Sequence, residues 1–480
     1  MKQKPTLSGG QIRKLAKNAA ALAFGGIAAQ AAFVLIEALI ARRLSQELYG
    51  VFSTVFVLVM LSVWVVDAGI GWKLVQDGSR RAAEIPRLLG TGLALRLMIF
   101  LTLYPLAVLA VAALGYGPGV TSLFVIFYCY VLVMVVQDSL ASVYAAQQRM
   151  EINAFYQGIT PLVICGLAWF LVGAEEGINR VGWAYVAGGA LVTLVWSAIT
   201  FRRVRPRLDV RGMPAVLKGS YQYGLTGLLG MAFQRIDLLL LSLLREMSEV
   251  GIYAAGAKLL DLALKIPVLA SRVAAPLLFQ KSHDDPPGYR ALCYAMLRAA
   301  AAIALFIAIL FGLLAEPLIL FVFGEKYHES IVILQVLGAG FAMRFLNTAL
   351  QLVLSTSDLH ARRTRSLAFA AAVNVGAALL LIPPFGIAGA AASAVFAQLV
   401  LFVVFLLGVR GVLPPRPLLR PLGLAVLCAA PAYLTASFLL DTPLLSWLLA
   451  SALYAVLLGI TGYFTRAELG YLIQSVLRRT

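Results

Sequence analysis

Long apolar runs separated by short polar turns fill this chain from near its start to near its end. A bilayer core needs about 20 apolar residues per spanning helix. Runs of that length predict spans near 19–40, 51–71, 92–114, 121–143, 155–173, 181–201, 223–244, 251–270, 293–314, 331–354, 367–383, 387–409, 420–440 and 444–464. The predicted fold class is therefore all-α integral membrane, with about 14 transmembrane helices arranged as two parallel six-helix lobes plus a C-terminal helix pair. Residues 1–201 form the first lobe, 202–222 a basic linker, 223–409 the second lobe, and 410–480 the additional pair and a tail.

The two-lobe reading rests on an internal similarity. Glu47-Leu48-Tyr49-Gly50-Val51-Phe52 follows the first span, and Glu249-Val250-Gly251-Ile252-Tyr253 follows the seventh, so Gly50 aligns with Gly251 at an offset of 201 residues. A polar turn leading into Gly is common between helices, and the matching span count is what favours duplication. Six is even, so both copies cross in the same sense and are related by an axis along the membrane normal. Two such lobes can enclose a cleft that opens to either side by rigid-body rocking.

Composition and charge add orientation. At 61% hydrophobic and 13% charged, with mean hydropathy +0.90, the chain carries about half the charge of a soluble domain. Thirty of its 39 Lys and Arg residues fall on the side of the predicted ladder that holds the N-terminus. Arg42, Arg43, Arg180, Arg245 and Lys326 lie on the other side, and Arg235, Lys258, Lys265 and Arg344 lie within spans. Cytoplasmic loops retain Lys and Arg, so both termini are expected in the cytoplasm of a bacterial cell with the protein in its inner membrane. The net charge of +17 then reports topology and gives no sign of a nucleic-acid partner, because no basic cluster is interleaved with aromatics on a soluble module. The first apolar run is longer than a signal-peptide core and passes through Glu37 without a clear cleavage site, so it is read as a retained helix. Cys129, Cys165, Cys293 and Cys428 lie in or beside apolar spans with no disulfide or metal spacing, as small buried hydrophobes would.

Ionisable residues inside spans are the candidate chemistry, since each costs about 2.5–3.5 kcal/mol to insert and tends to face a bundle interior or a watery cavity. Lys258, Asp261 and Lys265 follow i, i+3, i+7 spacing, which places them on one helical stripe. Arg344, Asn347 and Gln351 repeat it in the tenth span. The seventh carries Arg235 and Asp237, and the first Glu37. Opposite charges here can neutralise one another and pin helix packing. Four cations against Asp237 and Asp261 nonetheless leave a positive surplus, which suits a cavity that attracts an anionic headgroup. Arg235, Lys258, Lys265, Arg344, Asn347 and Gln351 are the substrate-binding candidates, with Asp237 and Asp261 as charge partners. Glu37 and Asp138 lack a local cation in the sequence; each is either a proton or monovalent-cation coupling site or a protonated carboxyl making a packing hydrogen bond. Glu37 is the coupling candidate. The stretch Lys73 to Gly90 mixes arginines with Ile85, Leu88 and Leu89, as either an interfacial helix or a solvated connector.

No catalytic constellation is present: His283, His328 and His360 lie in loops without metal-ligand spacing, and Gly115, Gly117 and Gly119 with Pro118 read as a tight turn. Loops leave no room for an ATPase or glycosyltransferase domain. The expectation is a non-enzyme without cofactor, driven by a gradient, the membrane potential or downhill use of product.

Several segments carry a family resemblance: Asn18, Ala41-Arg42 with Leu44, Tyr49-Gly50, Asp67-Ala68-Gly69-Ile70, the span holding Arg235 and Asp237 followed by Gly251 and Tyr253, Gly324-Glu325-Lys326-Tyr327, and Pro384 through Ala391. Together they resemble the polysaccharide and oligosaccharide-lipid flippases of the multidrug/oligosaccharidyl-lipid/polysaccharide exporter superfamily. The resemblance implies two six-helix lobes around a cationic cavity that moves an undecaprenyl-diphosphate-linked glycan to the periplasmic leaflet by alternating access. Its implied partners are that glycan lipid, membrane lipids, and the polysaccharide polymerase with its chain-length machinery. The relative that flips the peptidoglycan precursor is similar in its extra C-terminal helices, matched here from Leu419 onward, but has basic residues in its first lobe where this first span has none. A multidrug antiporter of the same superfamily and a membrane polymerase or ligase are the alternatives; the first should show an acidic cavity and the second a large exported catalytic loop.

Overall fold

A computed structural model describes residues 29–172, 177–414 and 416–464. The opening of the first predicted span, the signal-peptide question with it, Asn18, and the tail with Arg466, Arg478 and Arg479 lie outside the described residues. Every regular element described is helical. In chain order these are α1 (29–43), α2 (Gln46–Asp67), α3 (Ile70–Arg80), α4 (Ile85–Ala113), α5 (Pro118–Ala146), α6 (Met150–Leu171), α7 (Ile178–Arg203) and α8 (Met213–Leu244). There follow α9 (Met247–Ala263), α10 (Lys265–Asp284), α11 (Pro286–Val322), α12 (Ser330–Thr356), α13 (His360–Val409), α14 (Arg416–Leu439) and α15 (Pro443–Ile460). Eleven of those described are long and apolar enough to cross a membrane. One of the eleven, α13, is two helices joined across non-helical backbone at Gly386, after Pro383 and Pro384, which matches the two spans predicted there.

Three local differences from the predicted ladder matter for the chemistry. The third span begins at Ile85, seven residues before the apolar run, because a short 3-10 turn at Ala82–Glu84 feeds straight into α4 with Pro86 in its first turn, where a missing N–H does no harm. Arg96, one of the thirty basic residues assigned to the N-terminal side of the ladder, stands eleven residues into α4. The stretch from Lys73 is likewise divided: Lys73 to Arg80 belong to α3, while Ile85, Leu88 and Leu89 open α4 and are buried. The predicted eighth span is two helices meeting at Leu264, neither of them among the eleven long and apolar enough to cross a membrane, since Pro267 has no N–H to give the carbonyl of Ala263. Among the cysteines, Cys293 and Cys428 are buried, whereas Cys165 is half-buried and Cys129 is exposed.

The chain packs as two compact units. One holds α1 to α8, the opening of α9 through Ala254, and Ile382–Ile387 of α13; the other holds α9 from Ala255, α10 to α12, the rest of α13, α14 and α15. Aromatic side chains fill the first unit: Tyr185 meets Phe127 edge-on at 4.9 Å between centroids, and Tyr156 stacks on Trp196 at 4.4 Å. The second has a small core of Ile309, Ala432, Ala436 and Tyr454 where α11, α14 and α15 meet. In the first unit α2 crosses the start of α9 with almost no separation. A side chain on Gly50 would run into the carbonyl of Met247, and one on Gly251 into the carbonyl of Gln46. The offset of 201 that aligns Gly50 with Gly251 also aligns Gln46 with Met247, so the two contacts are reciprocal, as a local two-fold axis requires. Gly50→Ala or Gly251→Ala is expected to cost about 1–3 kcal/mol, seen as a lowered melting temperature of the purified protein. Gly158→Ala, where a Cβ meets open space, should melt like the parent.

Candidate functional site

The most heavily buried charge in the described chain is Arg96, only 1% exposed, on α4 of the first unit. Its guanidinium bridges three helices. Nη2 donates to Asp67 Oδ1 at the end of α2 and, at 2.8 Å, to Asp138 Oδ2 on α5, while Nη1 donates to Ser139 Oγ. Asp67 does a second job. Beyond it the chain turns through Ala68 and Gly69, both left-handed, and its carboxylate accepts from the backbone N–H groups of Gly69 at 3.1 Å and Gly71 at 3.3 Å. One acidic side chain thus closes α2 and opens α3, where the free N–H groups favour negative charge. A side chain at Gly71 would run into Asp138 Oδ2, so the glycine leaves the carboxylate its place in the cluster. Asp138 therefore has the cation that the sequence seemed to deny it. The missed signal was Arg96 itself, eleven residues into α4, or about 16 Å at 1.5 Å per residue. Two carboxylates thus share one guanidinium, and the side chain of Asp138 is 52% exposed.

Two further carboxylates of this unit are buried against tyrosines. Tyr49 Oη donates to Glu37 Oε2 at 2.8 Å, and Tyr253 Oη donates to Asp237 Oδ2. Both tyrosines are themselves buried. Arg235, two residues before Asp237, is half-buried.

The remaining predicted residues belong to the second unit. Lys258 and Asp261 stay one turn apart on α9 and are half-buried, but the helix ends two residues after Asp261 and Lys265, exposed, opens α10. The predicted stripe is interrupted before its last member. On α12 the stripe is continuous: Arg344 and Gln351 are half-buried and Asn347 is buried. Asn347 Nδ2 donates to the backbone carbonyl of Gln398 at 2.9 Å and to its Oε1 at 3.0 Å, which ties α12 to α13. Arg235 and Asp237 are thus in one unit, and Lys258, Asp261, Lys265, Arg344, Asn347 and Gln351 in the other.

Ionisable residues inside the spans of a multi-pass helical membrane protein often mark a substrate or ion path, and comparison with solved structures shows which fold these helices share. The lipid II flippase MurJ in an inward closed conformation has the same fold, with a TM-score of 0.76 at 13% identity over 92% of this chain and 98% of that one. A multidrug resistance transporter of the MATE family matches at 0.66 and 14% identity, over 80% and 94%. A transporter from Pyrococcus furiosus, described by the reverse polarity of its binding pocket, matches at 0.64 and 14%, over 85% and 99%. The fold is that of the MOP superfamily of transporters and flippases. More particularly, the profile of a family described as polysaccharide biosynthesis protein matches residues 39–332, and the chain belongs to that family. Comparison with curated protein sequences found no match.

Proposed function

We propose that this protein carries an undecaprenyl-diphosphate-linked oligosaccharide from the cytoplasmic to the periplasmic leaflet of a bacterial inner membrane by alternating access, with both termini cytoplasmic. The observation that carries the reading is the excess of positive charge on helices of the second unit, Lys258 on α9, Lys265 on α10 and Arg344 on α12 against Asp261 and Glu316, in a polysaccharide-biosynthesis family. A diphosphate cannot cross about 30 Å of hydrocarbon unaided. Lys and Arg replace its lost water with charge-assisted hydrogen bonds, and the polyprenyl tail stays in lipid. Arg235 with Asp237 is the corresponding candidate pair on α8. Nothing in this reading needs covalent chemistry on the glycan. Its expected partners are the glycan lipid, surrounding lipids, and the polymerase and chain-length machinery that consume the product.

The first unit holds three buried carboxylates, Glu37, Asp67 and Asp237, and a proton or monovalent cation is the driving ion in this proposal. Glu37, buried against Tyr49, is the coupling residue in this proposal. Glu37→Gln keeps the shape and removes the charge; transport by the variant is expected to lose its dependence on external pH in a reconstituted assay. A pH profile identical to the parent would make Glu37 a packing residue. For the function itself, deletion of the gene should cause one lipid-linked glycan to accumulate on the inner leaflet. No accumulation would reject the flippase reading.

A further inference from the structure

On the first unit, where α7 ends and α4 begins, a half-open cavity of about 320 Å³ is lined by four arginines, Arg202, Arg203, Arg205 and Arg207, over an apolar floor that includes Ile85 and Pro86. We propose that this pocket is a binding site for a phosphate-bearing anion, separate from the transport residues and not dependent on their assignment.

The charge in the pocket is uncompensated. Among the described residues no carboxylate or carbonyl takes a hydrogen bond or ion pair from any of these four guanidinium groups. Two acids next to the pocket segments in the chain are engaged with a different residue: Arg87 Nε donates to Asp209 Oδ2 at 2.6 Å, and Arg87 Nη1 lies 3.4 Å from Glu84. The Gly212 N–H, first, and then Arg87 hold the Asp209 carboxyl below its ordinary range, so at neutral pH it stays ionised and Arg87 stays with it. The C-terminal carbonyls of α7 offer about half a negative charge to Arg202 and Arg203. That is far short of four positive charges.

The pocket is also held in shape. Arg207 N donates to the carbonyl of Pro86 at 2.8 Å, and Asp209 N donates to Thr91 Oγ1 at 3.1 Å. The linker backbone at Arg207 lies directly on Gly90 of α4. Arginines on a fixed backbone present paired N–H donors that match phosphate oxygens. Both helices that border the pocket are candidate membrane spans, so the site lies at the ends of spans, within reach of a lipid headgroup as well as of a soluble phosphate. A purely orienting role needs positive charge alone and no cavity.

The test uses the whole protein in nanodiscs with inorganic diphosphate as probe. Calorimetric titration of the parent in phosphatidylcholine discs should give saturable binding, weakened at least tenfold in R205Q/R207Q; Arg202, Arg203, Arg211 and Lys218 remain to keep the orientation. In discs containing phosphatidylglycerol, native mass spectrometry of the parent should show retained anionic lipid that diphosphate displaces if a headgroup is the natural occupant. Diphosphate binding without retained lipid would assign the site to a soluble phosphate compound. Should the Gln variant fail to fold, R205K/R207K keeps the charge, removes the paired donors and should still bind more weakly than the parent. Equal titrations for parent and folded variant, or no diphosphate binding by the parent, would overturn the proposal.

Discussion

Arg96→Leu is expected to remove about 3–5 kcal/mol of stability, the usual cost of leaving one side of a buried ion pair without its partner. The loss falls on a joint between α2, α3, α4 and α5, so it should appear as a lower melting temperature and a reduced monodisperse fraction on purification. The two acids are not equivalent. Asp67 is 10% exposed and also caps α3 through Gly69 and Gly71, so Asp67→Asn should be nearly as damaging as loss of the arginine. Asp138 is half-exposed and caps no helix, so Asp138→Asn should cost less than Asp67→Asn. Arg96→Lys should rescue only in part, because one ammonium cannot span Ser139 and both carboxylates as a guanidinium does. An Arg96→Leu protein that melts with the parent would mean the cluster contributes nothing to holding these helices together.

Replacing both Lys258 and Lys265 with Gln is expected to abolish glycan export at normal protein abundance. Each lysine is taken to give the headgroup one hydrogen bond to a charged partner, worth about 1.5–3 kcal/mol. Two such losses come to about 3–6 kcal/mol, or roughly a 10²- to 10⁴-fold weaker hold on the diphosphate. Stability should change little, since Lys258 is half-buried and Lys265 exposed. Surface polysaccharide and membrane abundance, measured in the same cells, separate the two effects. Full export with both lysines gone would remove them from the substrate path, while lost export together with lost protein would point to folding.

The ladder of spans was legible from residue order, and so was the glycine pair at Gly50 and Gly251. The spans depend on a feature that acts along one helix, enough apolar length to cross a bilayer, whereas the lack of room for a side chain at Gly50 and Gly251 is a contact between α2 and α9. Asp67 was legible only as an acid closing a span, and its capping of Gly69 and Gly71 followed once the turn between α2 and α3 was seen. Arg96 was misplaced because the count of basic residues by side treats one near a span end as a loop charge, whereas Arg96 stands eleven residues into α4. Lys265 was grouped with Lys258 and Asp261 because a single period was carried through Leu264, where the helix is interrupted.

By itself the sequence determined the class of protein, the expected direction of its helices and the duplicated turn, since hydropathy, loop charge and glycine spacing are properties of neighbouring residues in the chain. Only the tertiary structure decided which charges meet. Helical periodicity fixes which face of its own helix a side chain occupies but not the rotation of that helix against the next. The joining of Arg96 to Asp67 and Asp138, of Asn347 to Gln398, and of the linker arginines around one cavity required packed helices, because their partners lie tens of residues or more away along the chain and are brought together by burial of the faces between them.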